Sequence, residues 1–346
     1  MMRNTVTRTL ILVLTLALVV VPAAIAAKPG PGTSTGAGQA FFPNPVAYLQ
    51  DQTLTDQRDQ DYPELQPAYV IVELTNLDGS GYLSGDWANI RSSTGPEAYS
   101  ETNTFIYDRS DDRFEQVMAY YWITEAQKYI QSLGFGSTYP AINMESQDVR
   151  INQWGVDNSY SWDKHDILRF GKGGVDDAED AEVILHEYGH AMMDSQSDPF
   201  GSFGTSVEAG AIGEGFGDYW AVTVSDAIAP TPDPACVADW DAVSYTSSEP
   251  HCLRRVDLDL HYPEDLSGYI HYDGQIWSRA LWDIRGSLGN QTADTIILLA
   301  NFDLAPDTSM PAAAAVVVST TESLYGPGSI ETQAVISAFQ ARGLYP

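Results

Sequence analysis

Apolar and polar positions along the chain change period several times, and each change marks an element. Ala68 to Thr75 alternates and is rich in β-branched residues, which predicts a strand, with a turn at Asp78-Gly79-Ser80-Gly81. From Arg113 to Leu133 the period becomes helical. Phe114, Val117, Met118, Tyr121, Trp122, Ala126, Tyr129, Ile130 and Leu133 share a face, and Gly134 caps the end. Residues 140–171 read as short strands and turns, with a strand near His165 to Phe170. Helices are then expected at Asp177 to Met193, at Glu214 to Ser225 after the glycine-rich Gly210 to Gly213, and at Gln275 to Arg285. Three more helical stretches fill residues 294–342, split at Pro306-Asp307 and at Tyr325 to Gly328. No internal repeat is visible.

The ends of the pattern differ from its middle. Arg3 and Arg8 precede an uncharged apolar run from Leu10 to Val21, followed by Pro22 and the small residues of Ala24-Ile25-Ala26. That order predicts a signal peptide over 1–27 and a secreted protein, with an uncleaved N-terminal anchor as the alternative. Residues 28–45, rich in Gly, Pro, Ser and Thr, read as a linker. A β-rich region would then span 46–107 and a catalytic domain 108–346.

Charge narrows the partners. The chain holds 17 basic and 47 acidic residues, and losing a leader would remove two arginines and no acid. So acidic a surface makes nucleic acid and, once the leader is cleaved, membrane poor partners. Cys236 and Cys252 are expected to pair in an oxidising compartment, a bridge worth about 3 kcal/mol in the chain-entropy model. A thiolate metal pair is the other option, weakened by the absence of a CxxC spacing.

Chemistry concentrates at His186-Glu187-Tyr188-Gly189-His190. Two histidines four apart leave one helical face and can share a metal ion, and the glutamate beside the first can take a proton from water activated there. Zinc accepts neutral imidazole and leaves a position open in catalytic sites. A further histidine six residues on would give another class of zinc peptidase, but Gln196 stands there. Downstream, Glu214 and Asp218 are again four apart. Glu214 suits a third ligand, and Asp218 suits the partner of a ligand's second ring nitrogen.

HEYGH followed by GEGFGDYW resembles the gluzincin peptidases, specifically the fungalysin and thermolysin-like families. The resemblance spans roughly Asp108 to Pro346. It implies an α+β, two-lobed zincin fold with a β-containing N-lobe and a helical C-lobe from about 206. It also implies zinc on His186, His190 and Glu214, Asp218 behind a ligand, and Glu187 as general base. Asn158 in Asn158-Ser159-Tyr160-Ser161 matches the asparagine that holds the substrate backbone. His271 in His271-Tyr272-Asp273-Gly274 matches the histidine that stabilises the oxyanion. Polypeptides are the implied substrates of a metalloendopeptidase. In the thermolysin-like enzymes a tyrosine stands about nine residues before the third ligand, where this chain has Thr205, and residues 28–105 do not resemble the families' propeptide. These departures support a rival: a catalytically weak or inactive secreted zinc scaffold that binds a partner. A zinc hydrolase acting on small molecules or N-terminal residues is a third option, with no motif for holding a free amine.

The remaining candidates divide less sharply. Asp176, Asp177, Glu179 and Asp180 could help hold calcium, or form a solvated helix start that matches the dipole. His165, His251 and His261 read as surface or strand-end residues. Trp154, Trp162, Trp277 and Trp282 read as core. GxSxG, P-loop and Rossmann fingerprints are absent.

Overall fold

The computed structural model describes residues 32–346 apart from 93–94, 198–199 and 201–205. The expected signal segment 1–27 and Thr205 lie outside the described residues. The first strand, β1 (Ser34–Ala40), occupies what reads as linker. It pairs antiparallel with β2 (Val70–Leu77) and parallel with β4 (Thr104–Phe105), so it is central to its sheet. Its glycines allow this placement. A Cβ on Gly38 would come within 2.6 Å of Val117 Cγ1, so only hydrogen fits where the strand crosses the next helix. A short helix, α1 (Pro45–Leu49), follows β1 and is capped by Asn44, whose side chain accepts from Ala47 N–H.

A second sheet has the order β3-β5-β7-β6 and combines β3 (Ala88–Ser92), β5 (Gln147–Ile151), β6 (Tyr160–Trp162) and β7 (Ile167–Arg169). β3, β5 and β7 run parallel, and β6 closes one edge antiparallel to β7. The boundary expected at 107/108 does not divide the structure, because β3 on one side of it pairs with β5 on the other. The described residues from 32 to 346 pack as one unit.

The long helix α2 (Phe114–Ser132) touches both sheets and the metal-site helix α3 (Ala181–Gln196). Its pattern predicts one apolar face, yet the polar Glu115, Gln116, Thr124 and Gln127 are also buried. Gln127 donates to the carbonyls of Ile142 and Asn143, and Gln116 accepts from Ala98 N–H. Side-chain amides thus replace water along this helix.

Five helices form most of the C-terminal lobe: α4 (Val207–Ile228), α5 (Ile270–Leu288), α6 (Asn290–Asn301), α7 (Met310–Tyr325) and α8 (Ile330–Ala341). A two-stranded pair, β8 (Cys236–Val237) and β9 (Arg254–Arg255), lies in sequence between α4 and α5, and the Cys236–Cys252 disulfide is formed there. The glycine-rich stretch before Glu214 is not a lead-in but part of α4. A Cβ on Gly215 would lie 2.2 Å from Gly274 O of α5, which explains glycine inside a helix despite its propensity cost. No helix among the described residues is long and apolar enough to cross a membrane.

Three expectations about individual residues change. His251 is buried, its Nε2 3.0 Å from Gln52 O. Trp277 is core, whereas Trp154 and Trp162 are half-buried and gather with Tyr160 around the Arg169 guanidinium. Asp176, Asp177, Glu179 and Asp180 are not solvated, since none exceeds 3% exposure. Residues 177–179 form a separate short turn, and α3 begins only after Asp180, which is extended and caps it by accepting from Glu182 N–H.

Candidate metal centre and active site

Helix α3 buries Ile184, Leu185, Tyr188, Ala191 and Met192 in the core. That burial fixes the opposite stripe, on which His186 and His190 sit one turn apart. Their Nε2 atoms are 3.2 Å from each other. Helix α4 crosses α3 so closely that a Cβ on Gly217 would lie 2.8 Å from the His186 ring, and Gly189 of α3 faces Gly217 itself. This contact brings Glu214 in: its Oε2 is 3.3 Å from His186 Nε2 and its Oε1 3.8 Å from His190 Nε2. The donor atoms of His186, His190 and Glu214 all lie within 4.8 Å of one another. Glu214 Oε2 is buried and has no hydrogen-bond partner among the described residues. Two imidazole nitrogens and one carboxylate are a catalytic zinc donor set, so the residues present fit that ion.

Asp218, one turn beyond Glu214, places Oδ1 2.9 Å from His186 Nδ1. Its carboxylate is gripped by Arg254 of β9, with Nε and Nη2 each at 2.7 Å. Burial works to raise Glu214 and Asp218, yet both sit below the usual carboxylate range. The histidines hold Glu214 down, and Arg254 with His186 holds Asp218 down. Burial works to lower His186, but Asp218 and Glu214 carry it up to about 10.

Glu187 is 7% exposed and faces β6. Burial pushes its carboxyl up to about 7, against the pull of His186. His271, in the first turn of α5, has Nε2 3.4 Å from Glu214 Oε2, and burial lowers its pKa. The loop that delivers it is pinned by Asp273, which accepts from the backbone N–H groups of Ser267 and Gly268 and the Ser267 hydroxyl. Asn158, just before β6, lines a cavity of about 570 Å³ that also contacts His186, Glu187, His190, Glu214 and His271. Six of the seven site residues expected from the sequence therefore line one cleft, and Asp218 stands behind His186. Arg254 was not among them. One signal was available: two adjacent arginines stand out in a chain with only 17 basic residues.

Residues 203–344 match the family model described as the thermolysin metallopeptidase α-helical domain. The match covers most of the helical lobe. The fold of the chain is similar to that of the precursor of protealysin, a metalloproteinase from Serratia proteamaculans, with a TM-score of 0.58 and 16% identity over 75% of this chain and 88% of that one. The likeness is one of fold: two lobes as in thermolysin-like proteins, with strands in the N-terminal region and helices in the C-terminal one. No curated protein sequence matches the chain.

Proposed function

We propose that this thermolysin-like protein is a zinc metalloendopeptidase that cleaves polypeptides in the cleft between β6 and α5. The observation that carries the proposal is the convergence of His186, His190 and Glu214 with Glu187 immediately beside them. A zinc ion held by those three residues would activate water and polarise the scissile carbonyl. Glu187 takes the proton of the attacking water and passes it to the leaving amine. The His271 N–H supports the carbonyl oxygen as it gains negative charge. Asp218, itself fixed by Arg254, keeps the His186 ring in its ligating orientation. Asn158 and the unpaired edge of β6 hold the substrate as an added strand.

The full chain is tested on a quenched peptide library, with and without a chelator, beside Glu187→Gln and Glu214→Ala. Glu187→Gln is expected to keep its zinc and lose roughly 10²- to 10⁴-fold in turnover. Glu214→Ala is expected to lose zinc. Equal, chelator-insensitive activity in wild type and Glu187→Gln would sink the mechanism.

A further inference from the structure

Beside the main cleft lies a smaller cavity of about 80 Å³, and the two share Asn158, Ser159, His186, Glu187 and His271 in their walls. The other walls of the small cavity divide by chemistry. Val183, Val237 and Leu253 give apolar surface, while Asp177, Asp241 and Glu182 give carboxylates, Glu182 accepting from the Ser225 hydroxyl and Ala238 N–H. Each of the two aspartates is 3% exposed, and each keeps Oδ1 buried without a hydrogen-bond partner. Asp157 stands with them: carboxylate oxygens of all three lie within 4.8 Å of one another. Two hydroxyls also reach the trio, Ser159 donating to Asp177 and Tyr245 to Asp157. Among the described residues no lysine lines the cavity, and the one arginine there, Arg254, has two nitrogens committed to Asp218. Buried acids so close together, with oxygens unmatched, are stabilised by an incoming cation. Burial and the neighbouring acids push Asp177 up to about 8 and Asp241 well above its usual value, as expected where counter-charge is short.

Position identifies the cation. Asp157, Asn158 and Ser159 lead directly into the edge strand β6. An extended peptide on that edge presents alternate side chains to one side. We infer that the small cavity receives a lysine or arginine side chain from a substrate residue flanking the scissile bond. The inference rests on the peptidase reading above and adds a substrate class to it. A bare divalent ion would make no use of Val183, Val237 and Leu253. A lysine or arginine does, because its methylene stem packs on apolar walls while its charged head meets the carboxylates.

The test separates the cavity from the chemistry. Full-length Glu187→Gln protein, loaded with zinc, is titrated with matched peptides that carry one Lys, one Arg or an uncharged norleucine at the same place. The Lys and Arg peptides are expected to bind about ten-fold tighter or better, a gap of about 1.4 kcal/mol. Adding Asp177→Asn and Asp241→Asn is expected to shrink the gap to roughly two-fold with zinc content unchanged. Equal binding of the three peptides overturns the inference, and so does a gap that survives both substitutions. It is also overturned if calcium chloride alone binds the Glu187→Gln protein and the two aspartate substitutions abolish that binding, because the cavity is then a metal site. Active protein supplies the second arm: its cuts in a peptide library should cluster beside Lys and Arg. If the binding preference holds while wild type cuts nothing, the peptidase reading falls and the cavity assignment stands.

Discussion

The two ends of α3 solve the same problem in opposite ways. Both bury carboxylates almost completely. Toward the metal centre, Glu214 and Asp218 face imidazoles and Arg254, and both remain ionised below the usual range. Around the start of the helix, Asp176, Asp180, Glu182 and Asp239 crowd together with Glu115 and Glu179. The cations there are few. Arg109 pairs its Nε with Glu179 and its Nη2 with Asp56, and Lys172 reaches Asp112 and, at 3.9 Å, Asp176. Burial and mutual repulsion push Asp176 and Asp239 up to about 8, and Glu115 well above its usual value. Equal burial thus gives opposite protonation, and the supply of counter-charge decides which.

The comparison breaks most visibly at Arg109. Arg109→Ala strands Glu179 in the core and is expected to cost about 3–5 kcal/mol of stability, measured by denaturant unfolding of the full chain. A loss below about 1 kcal/mol would mean that Glu179 is already neutral there. At the other end, Asp218→Asn is expected to weaken zinc binding about 10- to 100-fold in a competitive chelator titration. An unchanged affinity would remove Asp218 from the support of His186. The remaining effect is in pH dependence. An unfolded aspartate ionises near pH 4, whereas folded Asp176 and Asp239 do so at about 8, so between these values the native state holds the extra protons. Stability should therefore fall as pH rises from 5 to 8, read as a falling Tm at constant zinc. A Tm that climbs over that interval would show that the acids are already compensated by bound cations.

What the sequence disclosed follows from which interactions are local. The i, i+4 spacings of His186 with His190 and of Glu214 with Asp218 encode a shared face directly, so the ligand set was legible. So were the helices with a clear apolar period. Arg254 was not, because it reaches Asp218 from a two-residue strand 36 positions away. β1 was hidden because its glycines, required for contact with α2, look like linker composition. The acids before α3 were misread for a general reason: charge in a first turn normally faces water, and only the folded chain shows that Asn44, Trp240 and Asp241 close over Asp180.

The glycine seam has a consequence for how this protein can change. Where Gly189 meets Gly217 the two helices that carry the ligands touch backbone to backbone, and at Gly215 α4 meets α5 in the same way, so their spacing is set by main-chain contact rather than by the bulk of side chains. The surrounding core can then drift in sequence, swapping one apolar residue for another, while the ligand geometry is inherited unchanged. Variation in such a lineage would be free in the layers outside the seam and halted at the seam itself.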